Sequence, residues 1–428
     1  MSNDEASWKD WQKISFRFLF LFLGLTTMFC WQLITIGITH AALFKYPIDE
    51  DKFYKPLAAP FYWLDKHFYH TGFNPAIHQN VLGDSHFSVV FYLTLFLLSV
   101  ITTIIWSIFD KRRDNYNKLF YWFSIYLRNT LATTMLAYGI IKLIPIQMPY
   151  PNIVDMMKSY GEQTKFDVFW HFMGVSPTYE RFAGFCESVA ALLLFSRRTA
   201  VAGMLLSIGI FINVSALNWC YNVPVKIMPA QLLSYTLFLV EPYLKNVFDF
   251  FFRDSAVLIS PKRFALQAKR KKYLLKTIMI AVPLMFFITA AIGLSKNYIA
   301  QENDSLKGKI YDVTTFIAGD TLPPLTTDTL RWKRVMLFVN VNPDLMVIYN
   351  MNKQQKWYKF DIDSSKKIFT LYDNPDDKIG QVFNYNYSSN VNLQLKGKWH
   401  GKDIEVSMKE FPVDSMTLKK EKITLMQN

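Results

Sequence analysis

The chain has 428 residues, of which 51% are hydrophobic and 17% are aromatic, and its mean hydropathy is +0.11. This composition excludes a chain built only from soluble domains and indicates a membrane protein. The formal net charge is +13, with 29 Lys/Arg against 18 Asp/Glu before residue 300 and 18 against 16 after it. The excess charge lies in the apolar part, where it indicates topology and not nucleic-acid binding. The cysteines Cys30, Cys186 and Cys220 have no paired spacing, which argues against a disulfide framework or a zinc cluster.

Seven apolar segments are long enough to cross a hydrocarbon core of roughly 30 Å, which takes about 20 residues. With the N-terminus in the cytoplasm, 18 Lys/Arg fall on the inner side and nine on the outer side of these segments. The positive-inside rule therefore predicts seven spans in a bacterial inner membrane, with the C-terminal region in the periplasm. The first segment lacks a small-residue cleavage site, so we interpret it as a retained helix. The predicted spans are 14–39, 86–109, 119–147, 178–196, 199–219, 227–248 and 273–295.

The region after residue 300 changes to an alternation of apolar and polar residues, which is typical of strands. Short connections between eight such segments predict an up-and-down meander that closes into a small barrel of lipocalin type, with an open half-barrel or a sandwich as the alternative. The loop Gly319–Thr329 is too rich in proline for a strand. The predicted strands are 309–317, 331–339, 344–350, 356–362, 367–372, 380–387, 391–399 and 402–409.

These patterns predict a multi-span helical membrane bundle followed by an all-β domain. The parts are an N-terminal two-helix segment (1–118) with an outer loop (40–85), a four-helix bundle (119–248), a basic cytoplasmic loop with a seventh helix (249–298) and a periplasmic β domain (299–428).

Ionisable residues inside the predicted spans are candidates for a function, because an unpaired charge at mid-bilayer is costly. Arg128 in span three and Glu187 in span four both lie roughly 14 Å from the cytoplasmic ends of their helices, at 1.5 Å per residue. Equal depth on antiparallel neighbours predicts an ion pair between Arg128 and Glu187.

A second polar group is predicted nearer the outer side. Lys142 shares a helix face with Arg128, Glu180 shares one with Glu187, and Asn213 and Asn218 of span five lie at similar heights. We expect Lys142, Glu180, Asn213 and Asn218 to line an outward cavity that holds the head group of a quinone-like or lipid-like molecule. The alternatives are a polar network that only fixes helix register, and a proton or ion path.

Two weaker signals concern histidines. His171 precedes Glu180 in the second outer loop, so a rim of Lys142, Glu180 and His171 is a candidate for acid-base catalysis. His67, His70 and His78 lie in the first outer loop at a spacing that could bind zinc or copper. The aromatic residues around them instead indicate an interfacial helix, so no metal site is favoured.

The chain carries a motif made of Arg128, Ala132, Tyr138-Gly139-x2-Lys142-Leu143, Phe172-Met173-Gly174, Phe182-Ala183-Gly184-x2-Glu187, Leu194, Arg197-Arg198-x-Ala200 and Gly203. This motif resembles the four-helix DoxX/DoxD family of bacterial membrane proteins over roughly residues 120–245, and the β-rich tail is similar to that of longer Bacteroidetes-type members. The resemblance implies a small membrane subunit linked to quinone-dependent oxidation. The chain departs from the family by its additional spans and has no pair of in-membrane histidines for haem.

We therefore expect an inner-membrane protein that holds a quinone or lipid-like ligand, a partner protein in the membrane or periplasm, or both, and that is not catalytic alone. A component of a quinone-linked oxidoreductase and a scaffold without ligand remain the alternatives. The lipid bilayer is an expected partner, and nucleic acid is not. No cofactor other than a quinone is suggested.

Overall fold

The structure is a computed structural model, and the chain divides into two compact units. A helical unit comprises Met1–Tyr150 and Gln163–Asn297, and a β unit comprises Pro151–Glu162 and Tyr298–Asn428. The residues that the structure describes are 7–43, 58–74, 83–253, 309–338, 344–374, 377, 379–389 and 392–420.

Long helices occupy the first six predicted spans of the helical unit. A further short helix at 58–64 continues into a π-helical turn, Asp65–Tyr69. The predicted seventh span and the basic loop before it, from residue 254 onwards, lie outside the described residues, while residues 249–252 of the predicted loop belong to a helix. In chain order the helices of both units are α1 Asp10–Leu43, α2 His86–Phe109, α3 Asn117–Leu143, α4 Ile153–Met157, α5 Lys165–Gly174, α6 Pro177–Phe195, α7 Ala200–Cys220, α8 Ile227–Val240, α9 Leu244–Phe252 and α10 Thr417–Lys420.

Polar caps define several of these helix starts. The Ser85 hydroxyl accepts the backbone N–H of Ser88 at the start of α2. Ser176 caps α6, and Pro177 follows in its first turn, where a missing N–H has no cost. The predicted span 227–248 is divided between two helices, because α8 ends at Val240 and Pro242 lies in a 3-10 turn before α9.

Helix α3 lies at the centre of the helical unit. It packs against α6 and α8, and α7 packs against both α6 and α8, so these four helices form a ring, while α1 packs on α2 and α3. Residues 130–137 of α3 are all buried, as expected for a helix with neighbours on several sides.

The outward faces of the helical unit are apolar. Helices α2 and α7 are long and apolar enough to cross a bilayer, with mean hydropathies of 2.3 and 2.1 over 18 residues, yet only 33% and 28% of those windows are buried. Large side chains such as Phe96, Ile101 and Ile104 of α2 are exposed. A core helix of a soluble protein would bury most of such a segment.

The β unit is a closed antiparallel barrel. The barrel strands follow one another as neighbours from β1 through β3 to β9, and β9 pairs back onto β1, while β2 pairs only with the end of β1. The predicted eight-stranded meander and its closure are confirmed; its likeness to lipocalins stays a prediction. The strands are β1 Lys309–Ala318, β2 Asp320–Thr321, β3 Trp332–Phe338, β4 Leu345–Asn350, β5 Gln355–Asp363, β6 Ile368–Tyr372, β7 Gln381–Ser389, β8 Asn392–Trp399 and β9 Lys402–Phe411.

Aromatic side chains fill much of the barrel interior. Trp399 contacts Trp332 and Tyr358, with ring centres 5.2 Å apart in both pairs, and Phe360 stacks on Phe369 at 4.9 Å. All five residues are buried. Eight strands enclose a space just wide enough for side chains, and these rings occupy it.

The proline-rich loop is attached to the barrel by a buried arginine. Arg331 is 5% exposed, and its Nε donates to the Leu322 carbonyl at 3.0 Å. The Asp328 carboxylate accepts the backbone N–H of Arg331. As predicted, the loop contains no long strand. Its backbone groups form hydrogen bonds with the side chains of Arg331 and Asp328 instead of with a neighbouring strand.

A segment from the middle of the chain, 151–162, packs on the outside of the barrel. Ile310, Met336 and Val347 point outward from their strands and are nevertheless fully buried, because Ile153 and Val154 cover them. This segment lies within the part of the sequence predicted as a four-helix bundle. Apolar residues on the outer face of a barrel need such a cover in water.

An ion pair closes the end of this segment. Glu162 Oε1 lies 2.9 Å from Lys353 Nζ, and Glu162 Oε2 accepts the Ser159 N–H at 3.2 Å. The Lys353 ammonium and the Ser159 N–H hold the pKa of Glu162 at about 2, well below its usual 4.5. The stabilisation is therefore complete above pH 4.5 and is lost as the pH falls towards 2.

We predict that segment 151–162 becomes less protected in acid because Glu162 is protonated. Hydrogen exchange of residues 153–162, measured by mass spectrometry in the full chain and in Glu162→Gln at the same pH, checks this. At pH 6 the wild type should exchange roughly two- to fivefold more slowly than the variant, as expected for an exposed pair. Near pH 2 the ratio should approach one. A ratio independent of pH would contradict the assignment.

Candidate functional site

The candidate site lies where α3 and α6 cross at two glycines. A Cβ on Gly184 would lie 2.6 Å from the Gly139 carbonyl oxygen and 2.8 Å from Lys142 Cβ, and one on Gly139 would lie 2.9 Å from the Gly184 carbonyl oxygen. Only glycine allows the two backbones to approach this closely. The crossing therefore fixes the register of the antiparallel pair.

A buried ion pair lies at the crossing. Lys142 Nζ donates to both carboxylate oxygens of Glu187, at 2.6 and 2.7 Å, and the two side chains are 10% and 11% exposed. Side chains on a helix point back towards its N-terminus, so those of Lys142 and Glu187, three residues beyond their glycines, converge on the crossing. The ammonium also lies 5.7 Å from the centre of the Tyr138 ring.

The predicted partner of Glu187 was Arg128, and this pairing is wrong because the cation is Lys142. The prediction aligned the helices by their ends. The contact between Gly139 and Gly184 shifts that register by about eight residues, or roughly 12 Å along the helix axis. Arg128 is then level with the last turn of α6, far from Glu187.

Glu180 is the second carboxylate of the site and is fully buried in the first turn of α6. Its Oε1 accepts the Met148 N–H at 3.2 Å, while its Oε2 has no hydrogen-bond partner among the described residues. The charge of Lys142 lies close enough to act on it. An unpaired buried carboxylate oxygen is costly and needs a proton, a water molecule or a ligand.

Two further buried polar atoms of this region have no partner among the described residues. They are the Ser188 hydroxyl, next to Glu187 in the sequence, and Gln147 Oε1, next to Met148. Sequence reasoning overlooked Met148 and Gln147. The signal was present in Pro145, Pro149 and Pro151, because prolines end a helix and leave neighbouring backbone N–H groups free to bind a side chain.

The structure does not bring the two predicted asparagines to Lys142 and Glu180. Asn213 is exposed. Asn218 is buried, and its amide donates to the Val225 carbonyl at 2.6 Å, which fixes the connection after α7. The two asparagines are five residues apart, or about 140° around a helix, so they cannot both face the same way. Their role in a ligand site stays a prediction.

The histidines are placed as follows. His171, on α5, is partly exposed, and its Nδ1 lies 3.3 Å from Gln163 Oε1, so the predicted catalytic rim stays a prediction. His67 stacks on Trp63 at 4.6 Å, and His70 ends the π-helical turn. Among the described residues no group of three His, Cys, Asp or Glu could hold a metal ion, and His78 lies outside them.

The fold and site together define a protein with an apolar-surfaced helical unit, a buried Lys–Glu pair and a closed β-barrel. One stretch of 110 residues, 26% of the chain, is 30% identical to the uncharacterized protein YwoB of Bacillus subtilis (strain 168) and covers 70% of that protein. The chain therefore belongs to the same family as YwoB. No protein-family model and no solved structure matches it. The resemblance to DoxX proteins stays a prediction.

We predict that Lys142 and Glu187 are coupled in stability. Lys142→Met and Glu187→Gln should each lower the apparent Tm in detergent, since removing one partner of a buried pair costs about 3 to 5 kcal/mol. The double variant should lose clearly less than the sum. Arg128→Gln combined with Glu187→Gln serves as the control and should be additive. Coupling to Arg128 instead of Lys142 would contradict the pairing.

We also predict opposite effects of alanine at two helix glycines. Gly184→Ala should lower the Tm, because the new methyl group meets backbone and Lys142 atoms at under 3.0 Å, and overpacking costs about 1 to 3 kcal/mol. Gly209→Ala in α7 meets nothing within 4 Å and should leave the Tm unchanged or raise it, since alanine favours helix by up to about 1 kcal/mol. Equal losses in the two variants would argue against a close crossing.

Proposed function

We propose that this protein is a bacterial inner-membrane binding protein whose helical unit holds a quinone-like or lipid-like molecule by its polar head group at Glu180. The β unit is then a periplasmic domain that binds a partner protein. The observation that carries the proposal is the fully buried Glu180 with an unpaired Oε2, beside an otherwise satisfied pair of Lys142 and Glu187.

The chemistry of Glu180 suits such a head group. An ionised carboxylate accepts a hydrogen bond from a hydroxyl, and a protonated one donates to a carbonyl. Quinols and glycerolipids carry hydroxyls, and quinones and acyl esters carry carbonyls. Lys142 remains paired with Glu187 and contributes its charge from a fixed position, so the pair orients the site without having to contact the ligand.

The membrane placement is supported by the apolar surface of the helical unit. The exposed large side chains of α2 and α7, together with the low burial of these helices, suit a lipid environment better than water. The predicted excess of Lys/Arg on one side gives the orientation, with the N-terminus in the cytoplasm.

A scaffold without ligand is the second candidate function. The bidentate contact between Lys142 and Glu187 at a glycine crossing favours it, because such pairs fix helix register. A quinone-linked oxidoreductase component remains the enzymatic alternative and requires a redox partner. The identity of the molecule that purifies with the protein separates these possibilities.

The ligand hypothesis predicts that Glu180→Gln empties the site. The variant keeps an acceptor for the Met148 N–H, but the amide nitrogen that replaces Oε2 only donates and cannot accept a ligand hydroxyl. We therefore expect a roughly tenfold loss of a co-purifying quinol or hydroxyl-bearing lipid-like molecule, the effect of about 1.4 kcal/mol. The measurement is mass spectrometry of the protein purified in mild detergent. Glu241→Gln, at an exposed carboxylate of the same unit, is the control. Wild-type protein that carries no small molecule would support the scaffold.

Topology is tested separately with a variant in which the native cysteines are replaced by alanine. A cysteine at Ser364, in the exposed turn between β5 and β6, should react with a membrane-impermeant thiol reagent in intact spheroplasts. A cysteine at Asn115, between α2 and α3, should react only after lysis. The reverse labelling pattern would overturn the orientation.

A further inference from the structure

Two arginines of the helical unit are near enough to act on each other electrostatically, and neither has an acidic partner among the described residues. Arg128 is on α3, and Arg197 follows the end of α6. The charged and phenolic groups that act on Arg128 are Arg197, Tyr121 and Tyr243, and Tyr243 in turn lies near both arginines. No ion pair joins either arginine to a carboxylate among the described residues. Two cations therefore repel each other with no carboxylate to balance them in the part of the chain that the structure describes.

The arrangement is ordered by hydrogen bonding and stacking. Arg197 Nη2 donates to the Tyr121 hydroxyl, and the Arg197 guanidinium lies 5.4 Å from the centre of the Tyr121 ring. The Nε of Arg128 is buried and has no hydrogen-bond partner among the described residues, although the residue as a whole is only half-buried. At least one donor of the Arg128 guanidinium, Nε, is therefore unused among the described residues.

Helix geometry places the four residues at one end of the ring of helices. Arg128 is level with the last turn of α6, and its side chain points back towards the start of α3, where Tyr121 lies. Arg197 lies in the turn between α6 and α7, and Tyr243 lies just after α8. Lys142 lies in the last turn of α3 and Glu180 in the first turn of α6, at the opposite end of this helix pair, so the cluster is separate from the Glu180 site.

We propose that Arg128, Arg197, Tyr121 and Tyr243 form a binding site for a phosphate group, with the head group of an acidic phospholipid as the favoured occupant. Guanidinium groups bind phosphate through paired, charge-assisted hydrogen bonds, and phenol hydroxyls add donors. A bound anion also removes the repulsion between the two cations, which is strong near a low-dielectric medium. The choice of a lipid rests on the membrane placement proposed above, whereas the anion site does not.

The test is native mass spectrometry of the full-length protein in detergent with phosphatidylglycerol or with phosphatidylcholine, which has no net charge. Wild-type protein should prefer phosphatidylglycerol. Arg128→Gln and Arg197→Gln should each weaken its binding roughly tenfold, the loss expected for a hydrogen bond to a charged group. Arg198→Gln, at the adjacent exposed arginine, is the matched control and should bind like the wild type.

Inorganic phosphate distinguishes the two sources of the anion. If millimolar phosphate raises the Tm of the wild type but not of the two arginine variants, and displaces the lipid, the site is supported with free phosphate as its occupant. Equal binding of phosphatidylglycerol by wild type and both variants, or no binding of lipid or phosphate, overturns the proposal. If Arg128→Gln does not fold, Arg197→Gln and Tyr243→Phe carry the test.

Discussion

The close approach of α3 and α6 at Gly139 and Gly184 is the constraint on which the helical unit depends. It sets which residues of the two helices are level, and so it decides that Glu187 pairs with Lys142. The ion pair could not form with bulkier residues at positions 139 and 184. The side chains of Lys142 and Glu187 converge on the crossing from the two helices, and only glycine leaves room for the backbones to approach there. The ionic contact in turn holds the crossing together in surroundings where an isolated charge would be costly.

The same register separates the polar residues of α3 into two groups with different surroundings. Near the end of the helix, the Lys142 ammonium donates hydrogen bonds to both carboxylate oxygens of Glu187. Nearer the start of the helix, Arg128 has a second arginine and two phenols as electrostatic neighbours. One helix therefore presents a neutralised charge and an unneutralised one. The second is the basis of the proposed phosphate site, and the Glu180 carboxylate is the proposed contact for a neutral polar head group.

Sequence patterns predicted the β unit well and the polar site only in part. Apolar and polar residues alternate along each strand, and a shift by one residue would exchange the buried and exposed faces. This pattern therefore placed the ends of all eight long strands within about two residues. Hydropathy located the long helices but carries no information on the relative sliding of two helices, and the Arg128–Glu187 pairing failed for that reason. Helix phase alone also could not place Asn213, which lies on an exposed face. The covering of the barrel by 151–162 joins parts of the chain that no local pattern relates.

The pairing of β9 with β1 has a consequence for biosynthesis. The backbone hydrogen bonds along one edge of β1 cannot form until β9, which ends at Phe411, has been translated and, in the proposed orientation, exported. During that interval both β1 and β8 have open edges that can pair with strands of other chains. A truncation before β9 would make this state permanent. The unfinished barrel should therefore depend on chaperones until translation is complete. Premature stop codons late in the gene should produce a protein that aggregates and is not merely shortened.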